Sequence, residues 1–324
     1  MDQSEVIKES LSNELNQFGI YLRRALETDN KRISDIVEHA FKVDGKRIRP
    51  MLVFLVAKCC GEITPATYHG AVTVELLHSA TLMHDDVVDE AQTRRGQLSA
   101  NAVFDNKRSV LAGDYVLSSA LRESVRTENL EIMDLISELG QNLAEGELNQ
   151  YSLANEIIID EEEYFEVIEK KTASLLYVCA KIGAITAGAD RFTIDEFGKV
   201  GRLLGIAFQI RDDIFDYYKA DVGKPTGNDI REGKITLPLI YALKNAPKEI
   251  SDEMMNIVCS SDFSSENIEI LLNFAKNNNG IEYAQKTMEK YLEEAEQIIK
   301  NVSINNEFRI LLNMLLMYLK NRLF

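Results

Sequence analysis

Residues 82–96 read LMHDDVVDEAQTRRG, three aspartates set into apolar sequence and answered a few positions later by Arg94 and Arg95. If this stretch is helical, Asp85 and Asp89 share a face and Asp86 is turned about 100° from Asp85. Like charges at that spacing destabilise a helix, and apolar neighbours raise the cost unless a cation compensates. A solvated acidic face is the plain alternative. Two features oppose it. Leu76, Leu77, Leu82, Met83, Val87 and Val88 leave little of the helix for such a face. The pattern D-D-x-x-D also returns as Asp212, Asp213 and Asp216 in LLGIAFQIRDDIFDYY, residues 203–218, again within apolar sequence.

Working outward, the rest of the chain reads as helix. Its five prolines stand at positions 50, 65, 225, 238 and 247, so none interrupts the interval from Ala66 to Lys224. Thr64 before Pro65, Asp160 with Glu163, and Thr193 with Glu196 have the chemistry of helix starts. Breaks fall at GEITPA, AGADRF, KADVGKPTGNDIREGK, KNAPKE and NNNG, yet none is a long linker or a shift in composition. Strands have little support. The expectation is an all-α protein with a single domain over 1–324. Leu312, Leu315, Leu316, Leu319 and Leu323 recur at helical spacing and predict a core-facing stripe in the last helix.

Composition bounds the function. The 324 residues are 45% hydrophobic and 27% charged, ordinary for a globular protein. Thirty-six basic against 52 acidic residues give a formal charge of −16, which disfavours nucleic acid and anionic membrane surfaces as partners. The four cysteines have no C-x-x-C or metal-like spacing, so free thiols in a reduced compartment are expected. The polar start MDQSEVIKES predicts no leader peptide, and residues 311–319, the most apolar late segment, fall well short of the roughly 20 that span a bilayer. A cytoplasmic location is the resulting expectation.

Paired carboxylates at helical spacing suit Mg²⁺, which takes one or two protein carboxylates and completes its shell with water and phosphate oxygens. Neither histidine spacing nor thiolates favour zinc. In so acidic a chain the basic groups GKRIRP (Gly45–Pro50), Arg94 with Arg95, Lys170 with Lys171, and the lysines at 224 and 234 read as anion sites. No G-x-x-x-x-G-K-[ST] loop is present, so a Walker-type nucleotide site is excluded. Metal-bridged diphosphate in an apolar helical pocket points to prenyl chemistry.

The motifs GKRIRP, LLHSATLMHDDVVDE, RRG, GDY, KKTASLL, FQIRDDIFDY and GKPTGNDIREGK resemble those of the trans-polyprenyl diphosphate synthases, most of all the long-chain bacterial type. The likeness runs from about Gly45 to Pro238. It implies a bundle of helices around a deep central cavity with both Asp motifs at its mouth, and a homodimer. It further implies that Mg²⁺ is held by Asp85, Asp89 and Asp212, supported by Asp86, Asp213 and Asp216. Arg94, Lys171, Lys224 and Lys234 match groups that hold the allylic diphosphate; Lys46, Arg49, His78 and Arg95 match those that hold isopentenyl diphosphate. Thr172 and Gln209 match positions beside the reacting carbons. Long trans-prenyl chains of this kind most often become quinone side chains. Two other readings use overlapping motifs. A class I terpene cyclase has no need of GKRIRP, and a non-catalytic subunit of a heteromeric synthase usually loses the Asp motifs retained here.

The resemblance also bears on product length. Thr81 and Ala80, four and five positions before Asp85, lie about 6 to 7.5 Å deeper along the helix. They are expected on nearly the same face as Asp85. In the family a bulky aromatic at these places closes the cavity after a short product, so small residues imply a chain of about C40 or longer rather than farnesyl or geranylgeranyl.

Overall fold

A computed structural model of the chain describes residues 3–43, 45–94, 96–156, 159–218 and 226–321. Arg95, Lys224 and Leu323, singled out above, lie outside them, as does the side chain of Leu319. In the described residues seventeen α-helices, one π-helical turn and one minimal hairpin account for the regular structure. The all-α expectation holds. Contacts divide the chain into two compact units.

The first unit takes residues 1–140, 178–198 and 302–315. Its helices begin with α1 (Gln3–Ser10), α2 (Ser12–Leu26), α3 (Lys31–Ala40), α4 (Ile48–Cys60) and α5 (Pro65–Val88). Thr64 caps α5 as expected: its hydroxyl accepts from Thr67 N–H while Thr67 Oγ1 accepts from Thr64 N–H, and Pro65 opens the first turn. Helix α4 is buried on every side from Pro50 to Ala57, and Gly70 of α5 and Gly183 let Ile182 and the α4 backbone approach closely. Each fully buried Leu, Phe or Val there contributes on the order of 1.5–3 kcal/mol before entropy is counted.

After α5 the chain makes a hairpin of β1 (Thr93–Arg94) and β2 (Gln97–Leu98), turning at Gly96 with φ +77°. Sequence reading found no strand here, because two-residue strands carry no periodicity. Helices α6 (Ala100–Phe104) and α7 (Asn106–Val125) follow, and α7 packs along α5. His84 seats its Nε2 in the notch left by Gly113 on α7, which accounts for the glycine of GDY.

The second unit takes residues 141–177, 199–301 and 316–324. It holds α9 (Glu161–Ile168), the π turn Glu169–Ala173, α12 (Asn228–Arg231), α13 (Leu237–Asn245), α14 (Lys248–Ser260), α15 (Ser265–Asn277) and α16 (Gly280–Asn301). Four further helices, α8 (Leu130–Glu156), α10 (Ser174–Thr186), α11 (Arg191–Phe215) and α17 (Asn306–Asn321), have residues in both units. Buried α13 packs on α15 and α16. Asp160 caps α9 as expected, accepting from the N–H groups of Glu162 and Glu163. The start of α11 differs: it begins at Arg191, and Asp190 accepts from Thr193 N–H at 2.8 Å. A carboxylate beats a hydroxyl at that end because it also opposes the positive pole of the helix. On α17 the leucines at 312, 315 and 316 are buried, as their spacing predicts.

Candidate active site

In the first unit the acidic motif closes α5. Asp85 is half-buried, Asp86 is 4% exposed, and the exposed Asp89 is the C-cap, its N–H donating to Asp85 O at 2.8 Å. All three carboxylates thus sit at the carbonyl end of a long helix. The helix dipole is negative there, so each is disfavoured by about 0.3–1 kcal/mol unless a cation answers it. Arg94 answers one of them. Its Nε donates to Asp86 Oδ1 at 2.8 Å, its Nη2 makes a second short bond to the same oxygen, and Asn101 Nδ2 donates to Asp86 O. Asp86 therefore anchors Arg94, and Asp85 and Asp89 are the more open carboxylates of the motif.

The basic segment GKRIRP does the reverse. Arg47, with φ +57°, caps α4, Arg49 lies in the first turn, and Lys46 is exposed just before it. Arg47 turns to Glu75 at 3.4 Å and over the Phe18 ring. Positive side chains at the positive pole of a helix are disfavoured for the same reason that carboxylates are at the other, and a bound anion relieves them. His78 is half-buried on α5, and its carbonyl accepts from Thr81 Oγ1 at 2.9 Å. Thr81 lies about 40° around the helix from Asp85, but Ala80 lies about 140° away. The shared face expected of the pair therefore holds for Thr81 alone. Thr81 is half-buried and Ala80 is 1% exposed.

The second unit holds a cavity of about 190 Å³ that gathers Lys171, Thr172, Gln209, Asp213 and Lys234 from distant sequence, with Val167, Ile168 and Ile240 among its apolar walls. The first two come from the π turn Glu169–Ala173; such turns displace a helix locally and recur at functional sites. Lys171 Nζ donates to Gln150 Oε1 at 3.2 Å and forms a short ion pair with Glu147. Thr172 Oγ1 donates to Gln209 Oε1 at 2.8 Å, Gln209 Nε2 donates to Asp213 Oδ1 at 2.8 Å, and Tyr164 O–H donates to Asp213 Oδ2 at 2.6 Å. Both oxygens of Asp213 are thus engaged in protein contacts. Burial first, then the Asp229 carboxylate, pushes Asp213 well above the usual carboxylate range.

The first aspartate of this motif is the open one. Asp212 is exposed near the carbonyl end of α11, with Arg211 Nη2 on its Oδ1 at 2.8 Å. Arg211 itself is buried against Phe208 and Phe215. Asp216, just past the helix, accepts from the N–H groups of Asn228 and Asp229, each at 3.0 Å, and so fixes the start of α12.

Four cavity or neighbouring groups escaped the sequence reading: Tyr164, Gln150, Glu147 and Asp229. Burial and Asp216 push Asp229 up to about 7, while Lys234 pulls it down. Its signal was present in GNDIREGK, a carboxylate inside a glycine-rich segment valued only for its lysines. Among the described residues no three acidic, histidine or cysteine side chains converge on a bare metal site.

Comparison with known proteins identifies the family. A family profile, Polyprenyl synthetase, matches residues 30–274. The chain is 38% identical over 248 residues to octaprenyl diphosphate synthase of Escherichia coli, covering 76% of each. The crystal structure of a geranylgeranyl pyrophosphate synthase from Bacteroides thetaiotaomicron superposes with TM-score 0.85 at 39% identity, covering 99% of both chains. A polyprenyl synthase from Caulobacter crescentus, complexed with calcium and isoprenyl diphosphate, superposes with TM-score 0.90 at 27% identity over 98% of each. The chain is therefore a prenyltransferase and belongs to the polyprenyl synthetase family.

Proposed function

We propose that the chain is a Mg²⁺-dependent synthase that joins isopentenyl diphosphate to an allylic diphosphate and builds a long all-trans polyprenyl diphosphate. The observation that carries this reading is electrostatic: both aspartate motifs close long helices at the negative pole, while GKRIRP opens one at the positive pole. Asp85, Asp89 and Asp212 are the ligands offered to Mg²⁺, and Asp86 and Asp213 support them from buried positions. The Caulobacter relative, complexed with calcium and isoprenyl diphosphate, supports a divalent cation and an isoprenyl diphosphate as ligands.

Held by Asp85, Asp89 and Asp212, Mg²⁺ would supply positive charge to the diphosphate leaving group. The chain's own part is to hold and shield. Arg94, oriented by Asp86, and Lys171 and Lys234 donate to diphosphate oxygens; Lys224, outside the described residues, is assigned the same role. Lys46, Arg49, His78 and Arg95, the last also outside them, hold isopentenyl diphosphate. Allylic C–O cleavage leaves a cation, and the apolar cavity walls keep water from it. Thr172 and Gln209 turn oxygen dipoles toward that charge while their hydrogen bond to each other fixes their direction. The double bond of isopentenyl diphosphate then forms the new C–C bond, and loss of a proton restores a double bond. The departed pyrophosphate is assigned as the proton acceptor.

Asp85→Ala and Asp212→Ala are each expected to lower kcat by more than about 100-fold and to raise the Mg²⁺ concentration for half-maximal rate. Full activity in either variant, measured with isopentenyl diphosphate and an allylic primer, would remove the metal assignment. The small Thr81, on the Asp85 face, supports a long product, about C40 or beyond. Thr81→Tyr should shorten it sharply while turnover stays measurable; an unchanged product mass distribution would show that the growing chain passes elsewhere.

We also propose that the chain acts as a homodimer. Helix α7 exposes Leu111 (66%), Leu121 (47%) and Val125 (55%) within one 80°-wide stripe by helical geometry, at about 100° per residue. An apolar stripe of this kind on one helix is suited to a partner surface. Leu111→Glu with Leu121→Glu should shift the sedimentation mass from about twice the 36.6 kDa chain to that of one chain; a monomeric parent protein, or a variant that stays dimeric, would contradict the assignment.

A further inference from the structure

Two helices grip the π turn Glu169–Ala173 in the same way. On α8 a Cβ at Gly146 would lie 2.9 Å from Lys171 N, 3.1 Å from Lys170 Cβ and 3.2 Å from Lys171 Cα. Four residues further along α8, Gln150 accepts from Lys171 Nζ. On α11 a Cβ at Gly205 would run into Ala173 Cα and lie 3.2 Å from Ala173 N. Four residues further along α11, Gln209 accepts from Thr172 Oγ1. Each neighbour therefore supplies, one turn apart, a bare stretch of backbone and an amide that tethers a π-turn side chain.

The physical reason lies in the π turn itself. It adds a residue to the helical turn and pushes backbone outward, toward whatever packs beside it. A glycine inside a helix weakens that helix by roughly 1 kcal/mol relative to alanine, a cost that close packing offsets at Gly146 and Gly205. Gly140 of α8 gives the contrast: a Cβ there would meet nothing within 4 Å. Ala173 is fully buried, so the turn has no open side at that point into which it could retreat.

We propose that Gly146 and Gly205 are positioning residues, which set the depth at which the π turn presents Lys171 and Thr172 to the cavity, with Gln150 and Gln209 fixing the direction of the two side chains. The inference rests on the prenyl-transfer reading, since Lys171 and Thr172 are the groups it assigns to the diphosphate and the reacting carbons. A methyl at either glycine displaces the turn by a fraction of an ångström to about one ångström, and misplacement on that scale costs up to about 100-fold in rate.

Steady-state kinetics on four variants tests this. Gly205→Ala should lower kcat by about 100-fold and Gly146→Ala, whose contact is milder, by about tenfold, while KM for isopentenyl diphosphate moves less than about twofold. Gly140→Ala should keep the parent kcat. A double-mutant cycle supplies the readout that a purely structural role would not move: in a Thr172→Ala background, Gly205→Ala should cost less than about threefold, because the group it displaces is gone. If Gly205→Ala does not give the parent circular dichroism spectrum, Gly146→Ala with Lys171→Ala forms the equivalent cycle. The proposal is overturned if both glycine variants keep kcat within about twofold of the parent, or if the loss is equal with and without the tethered side chain. A parent protein inactive with both diphosphates would instead overturn the prenyl-transfer reading.

Discussion

A carboxylate at the carbonyl end of a helix is in the wrong place unless something positive sits beside it, and this chain makes that arrangement twice. Asp85, Asp86 and Asp89 finish α5, and Asp212, Asp213 and Asp216 finish α11. The dipole contribution at each group is small, about 0.3–1 kcal/mol, but it has one sign across six groups. The mirror arrangement holds at α4, where Lys46, Arg47 and Arg49 crowd the amide end. In the proposed reading a divalent cation answers the carboxylate ends and a diphosphate the basic one. Stability is conceded locally so that binding is favoured there.

Within each motif the aspartates divide their labour by burial. The middle members, Asp86 and Asp213, turn inward: one fixes Arg94, the other accepts from Gln209 and Tyr164. That leaves Asp85, Asp89 and Asp212 as the more open carboxylates, the ones proposed to hold the metal. The chain Thr172 to Gln209 to Asp213 then carries order from the motif to the π turn, so the residues assigned to the reacting carbons are held by the same network that ends at the acidic cluster. Buried polar chains of this kind are costly when incomplete, which favours one arrangement over others.

Much of this was legible before any coordinates. Helical spacing alone paired Asp85 with Asp89, the proline-free interval announced long helices, and Thr64 and Asp160 were read correctly as caps. What escaped were features without a period or a local rule. The β1–β2 hairpin is two residues per strand, and the π turn carries no sequence mark beyond its lysines. Asp190 displaced Thr193 as the cap of α11 because charge at the amide pole outweighs a hydroxyl. The partnership of Tyr164 with Asp213 spans 49 positions and is set by tertiary packing. Ala80 shows the limit of counting along a helix: five residues are close in depth but far around the axis.

If the helix-end charges are held in reserve for ligands, metal and diphosphate must stabilise the fold together. The direct measurement is the thermal unfolding midpoint of the protein with Mg²⁺ alone, inorganic pyrophosphate alone, and both. The account predicts a rise with both that exceeds the sum of the separate shifts, because each ligand completes the binding site of the other. A combined shift no larger than that sum would contradict it.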